Sequence, residues 1–79
     1  MENTKKLNLI SKISALNVDL LGYFKVSDVI FQIVDTLERL EFIDFEDAID
    51  LEKLANSVKS NDDANLLKLS VIDFILNIK

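Results

Sequence analysis

One glycine, Gly22, and no proline in 79 residues leave this chain few means of turning sharply. Tight turns draw on glycine for positive φ and on proline for a preset φ, and sheet-rich folds need many of them. The one alternating patch, 42–45, is too short to anchor a sheet. The expected fold is therefore all-α: a small bundle of three to five helices in a single domain, 1–79.

Helical periodicity and capping residues place the elements. Leu7, Ile10, Ile13 and Leu16 fall three apart with Leu9 beside them, which predicts a helix over 4–16 opened by Asn3 or Thr4. Asn17 reads as its stop, and Asp19 as the cap of a short turn or loop over 20–24 that Gly22 loosens. Ser27 reads as the N-cap of the best helix, 27–41, with Asp28 at the positive end of its dipole. Ile30, Ile33, Leu37 and Leu40 follow as a seam at spacings of 3, 4 and 3, Val26 extends it backwards, and Val29, Phe31 and Val34 widen it. The stretch 41–47 reads as a connection within which Asp44 caps the next helix, over about 45–59, carrying Ala48, Leu51, Ala55 and Val58 on one side. Residues 60–63 read as a break, and Asp62 or Asn61 is expected to cap a last helix, 63–78, with Leu67, Val71, Phe74 and Ile78 on its seam. The helices at 27–41 and 63–78 are the natural pair for a core or for a dimer interface.

The apolar content exceeds what so small a core absorbs. Leu, Ile, Val and Phe fill 33 of the 79 positions, and mean hydropathy is +0.22. A chain of this size buries only about 60% of the surface its unfolded form exposes, and soluble monomers rarely show large apolar patches. A second copy or an obligate protein partner is the expected cover. No apolar run reaches the ~18 residues of a membrane span, and the Lys5–Lys6 start lacks the features of a signal peptide. With no cysteine in the chain, a cytoplasmic location is expected.

Net charge is −5, unevenly placed: residues 1–27 carry +2, residues 28–63 carry −8 and residues 64–79 carry +1. Phosphate binding needs clustered Lys and Arg, and an acidic centre repels nucleic acid, so no direct nucleic-acid binding is expected. The acidic centre reads as a solvated face, or as one that meets a basic partner.

Catalysis has little to work with. Without His or Cys, the available groups are carboxylates, lysines and Tyr23. Asp44, Glu46, Asp47 and Asp50 form the densest carboxylate group, but they lack the glycine and terminal glutamate of a calcium loop. One glycine supplies neither a phosphate loop nor a dinucleotide fingerprint. No catalytic residue, cofactor or metal is expected.

Ser27 opening a long acidic helix, with Phe31, Ile33, Val34, Leu37 and Glu38 after it, and Ser70-Val-Ile-Asp-Phe-Ile closing the chain, together resemble the acyl carrier proteins. That resemblance implies a phosphopantetheine arm on Ser27 and an acidic helix that meets basic partner enzymes. The family's Asp-Ser-Leu stands here as Val26-Ser27-Asp28.

The sequence thus points to a small acidic, non-enzymatic interaction protein of immunity, inhibitor or adaptor type. Its expected contact residues are Ile30, Ile33, Leu37 and Leu40 on the seam, with Phe42 and Phe45 partly exposed on the connection. The alternatives are a carrier domain modified at Ser27 and an acidic decoy for a nucleic-acid-binding protein.

Overall fold

Five helices and no strand make up the computed structural model, which describes residues 1–79: α1 (Asn3–Ser14), α2 (Val18–Leu21), α3 (Tyr23–Arg39), α4 (Phe45–Asn56) and α5 (Asn61–Leu76). Three of them start on a short polar side chain that takes up a free N–H of the first turn. Asn17 Oδ1 accepts from Leu20 N–H at 3.1 Å, Asp44 Oδ1 from Asp47 N–H at 2.9 Å, and Ser60 Oγ from Asp63 N–H at 3.1 Å. The Asp63 carboxylate reaches back to Lys59 N–H at 3.0 Å, so the start of α5 is tied from both sides.

Several local expectations are corrected. Asn17 starts α2 rather than merely stopping α1, and Asp19 lies in the first turn of α2 instead of capping a later one. Of the loop or helical turn expected over 20–24 the structure has the helical form: α2 ends at Leu21, Gly22 bends the chain at φ 83° and ψ 155°, and α3 begins at Tyr23. Only glycine occupies that backbone region readily. Ser27 is therefore not an N-cap. It lies one turn inside α3, its hydroxyl donating to Phe24 C=O at 3.0 Å. The physical reason is Val26, which is fully buried and is brought into the core by the extra turn. Neither Asn3 nor Thr4 caps α1, whose N-cap is Glu2 without a side-chain bond. Ser60, not Asn61 or Asp62, caps α5, and that helix stops at Leu76 with Asn77 as its C-cap.

The C-terminal end of α3 closes without glycine. Phe42 N–H donates to Leu37 C=O at 3.0 Å and Glu41 N–H to Glu38 C=O at 2.9 Å, while Glu41 takes φ 63°. This paired pattern satisfies two orphan carbonyls and folds Phe42 back beside the helix it follows.

Fifteen buried residues, all apolar, form one continuous core. Ile13, Val26, Ile30, Val34, Leu67, Val71 and Ile75 are its largest fully buried side chains, each contributing about 1.5–3 kcal/mol by leaving water. Helix α5 touches all four others, and α3 packs most extensively on α4. The α3 and α5 seams do meet in the core, as their spacing implied. Helix α1 lies along α5, antiparallel to it: Lys6 Nζ donates to Ile78 C=O at one end, and Lys68 Nζ to the C=O groups of Ser14 and Leu16 at the other. By contrast, α1 makes no extensive contact with α3. The radius of gyration, 11.7 Å, matches the roughly 12 Å of a close-packed domain of this length. No helix is long and apolar enough to cross a membrane.

Candidate functional site

Because α1 leans on α5 and not on α3, a groove is left between α1 and α3. Its volume is about 520 Å³, within the roughly 300–1,000 Å³ range of ligand pockets. Leu9 lines it from α1, and Val29, Ile33 and Leu37 from α3. Leu40 and Phe42 close the end where the α3 terminus folds back. The polar rim is Lys5, Asn8 and Lys12 on α1, with Gln32 and Thr36 on α3. Lys5 Nζ stands 5.6 Å from the centroid of the Phe42 ring, within cation–π range.

The six expected contact residues separate. Ile33, Leu37, Leu40 and Phe42 all line the groove. Leu37 is only 3% exposed and belongs to the core as much as to the groove wall, whereas Leu40 is 60% exposed. Ile30 is fully buried and faces the core. A seam drawn at 3, 4 and 3 mixes inner and outer positions, since α3 turns its apolar arc toward α4 and α5 on one side and toward the groove on the other. Phe45 is 64% exposed at the start of α4 and does not line the groove. The α1 half of the site was not singled out in the sequence. Its signal there is small: Lys5 and Lys12, seven residues apart, flank Leu9 on one helix.

Other clusters are simpler. Asp35, Glu38 and Glu52 bring carboxylate oxygens within 4.8 Å of one another, but Arg39 Nε pairs with Asp35 at 3.2 Å and offsets part of that charge. The Asp47 carboxyl sits above its ordinary value, raised first by partial desolvation and then by Asp44, Asp50 and Glu46 around it. Ser27 lies in a small hollow of about 200 Å³ between α3 and α4, beside Phe24, Asp28 and Phe31. Along the outer face of α5, Leu66, Leu69 and Leu76 are exposed. That helix is apolar nearly all round, which a single seam could not reveal.

No protein-family model, no curated protein and no solved structure matches this chain.

Proposed function

We propose that this protein is a non-enzymatic interaction module that holds an amphipathic helix of a partner protein in the α1–α3 groove. The observation that supports this reading is the groove's make-up: an apolar floor of Leu9, Val29, Ile33, Leu37, Leu40 and Phe42, bordered by polar side chains. Helix-in-groove recognition uses such a floor to take up anchors at i, i+3, i+4 and i+7. The α3 wall runs from Val29 to Leu40, about 16 Å at 1.5 Å per residue, or three turns of a bound helix. An immunity, inhibitor or adaptor role in the cytoplasm is the matching biological setting. Two rim lysines are too few to hold a phosphate backbone, so nucleic acid is not the ligand.

The test uses a synthetic 16-residue helix with leucines at i, i+4, i+7 and i+11 and neutral glutamine flanks. Titrated into isotope-labelled protein, it is expected to shift the amides of Ile33, Leu40 and Phe42, and Ile33→Glu is expected to abolish those shifts in a protein that still folds. Absence of binding, or shifts confined to α4 and the outer face of α5, would overturn the reading.

A further inference from the structure

The charge around the groove is inverted relative to the chain that carries it. Acids outnumber bases 14 to 9 in the sequence, yet the twelve groove residues include two lysines and no acid. Lys5 and Lys12 are seven residues apart on α1, so they stand on one side of the helix, two turns or about 10.5 Å from each other. Neither has a carboxylate within 4.0 Å; the molecule's ion pair at that distance is Arg39 with Asp35. Neither ammonium is engaged in a hydrogen bond within the protein, in contrast to Lys6 and Lys68, which both hold main-chain oxygens. On the opposite side the groove-lining Gln32 and Thr36 carry no charge, and the groups behind them are one of each sign: Gln32 Nε2 donates to Asp28 at 3.1 Å, and Arg39 Nη2 stands 3.5 Å from Thr36 Oγ1, whose hydroxyl donates to Gln32 C=O at 2.9 Å.

We infer that the groove selects for a partner helix with two carboxylates seven residues apart along one edge of its apolar stripe. This rests on the helix-binding reading above and adds the partner's chemistry to it. One carboxylate would meet Lys5 beside Phe42 and the other Lys12 near Val29, as the flanking charges of paired helices do. The edge facing Gln32 and Thr36 would be neutral. Complementary rim charge chiefly governs selection and encounter rate and adds modestly to affinity. The −8 centre elsewhere in the chain repels an acidic partner, so the complementarity is confined to the α1 rim of the groove.

The experiment compares three versions of the 16-residue peptide, with Glu, Gln or Lys at the two edge positions, against the full chain by fluorescence anisotropy. Expected at low salt is tighter binding of the Glu peptide than of the Gln peptide by about three- to thirtyfold, as two exposed ion pairs allow, with the Lys peptide weakest. The gap should close at high salt. The double variant Lys5→Glu, Lys12→Glu should reverse the order; both residues are exposed, and circular dichroism confirms that the variant folds. Binding of all three peptides with equal affinity would overturn the charge selection and leave helix binding standing, whereas failure of the Gln peptide as well would remove both. Light scattering of the protein alone supplies the remaining outcome: a dimer that Ile33→Glu dissociates would make a second copy the occupant and overturn the inference.

Discussion

The Lys68 ammonium donates to the main-chain oxygen of Leu16 at 2.6 Å, and it reaches Ser14 C=O at 3.3 Å. A side chain from the middle of α5 thus satisfies carbonyls that the end of α1 leaves unpaired and places a positive charge at the negative end of that helix's dipole. This contact fixes α1 along α5, and the groove exists because α1 is fixed there. Lys68→Met keeps most of the stem's packing and removes both bonds. It is expected to lower stability by about 1–2 kcal/mol, read as a lower urea midpoint with an unchanged slope.

Neighbouring positions on α3 should separate sharply. Ile30→Ala opens a cavity at a fully buried site and is expected to cost about 2–5 kcal/mol. Leu40→Ala, at a largely exposed site, should stay within about 0.5 kcal/mol. Leu37→Asp buries a charge with no partner and should unfold the protein rather than dissociate an assembly. Chemical denaturation followed by circular dichroism checks all three.

Two backbone positions predict opposite signs. Gly22 holds φ 83° and ψ 155° with nothing within 4 Å of an added Cβ, so Gly22→Ala suffers from backbone strain alone; about 1–3 kcal/mol of destabilisation is expected. Glu41 is a non-glycine residue at φ 63°, in the C-terminal position where glycine is favoured. Glu41→Gly is expected to stabilise the protein by about 0.5–1 kcal/mol. Thermal melts of the two variants should move in opposite directions.

Asp47 gives a pH signature. Its carboxyl is raised above the ordinary value by desolvation first and by the negative charges of Asp44, Asp50 and Glu46 next. The folded state therefore takes up this proton more readily than the unfolded one. The unfavourable contribution of ionised Asp47 is complete at neutral pH and is relieved as pH falls through the folded value toward the unfolded one near 4. Asp47→Asn is expected to raise Tm at pH 7, with the gain shrinking as pH falls toward 4. Its backbone N–H still meets Asp44, so the cap survives. A gain independent of pH would contradict this assignment.

Much of the fold was legible because helix periodicity and capping are local. Asp44 caps α4 as its place before an apolar repeat implied, and Ala48, Leu51 and Ala55 are buried on one face of that helix. Errors arose where two local signals competed. Ser27 followed by Asp28 has the look of a helix start, but the burial of Val26 extends α3 back to Tyr23. Ser60, Asn61 and Asp62 are all capable caps, and the choice among them depends on which N–H each side chain reaches. The groove, as the candidate site, was legible from one side only. Ile33, Leu37, Leu40 and Phe42 came from one seam and its connection, whereas Lys5, Leu9 and Lys12 lie across the groove from them, and no spacing along the chain relates the two sets.

The near absence of glycine and proline, the caps and the 3–4 repeats of apolar residues determined a helical bundle with a centre rich in carboxylates, because each acts within a few residues. Only the tertiary structure decided which apolar positions are core and which are surface. An apolar arc on α3 is silent about its neighbours until α4 and α5 take one side of it and α1, held on α5 by Lys6 and Lys68, leaves the other open. Burial is a property of what arrives from elsewhere in the chain, and the groove is what that arrival left uncovered.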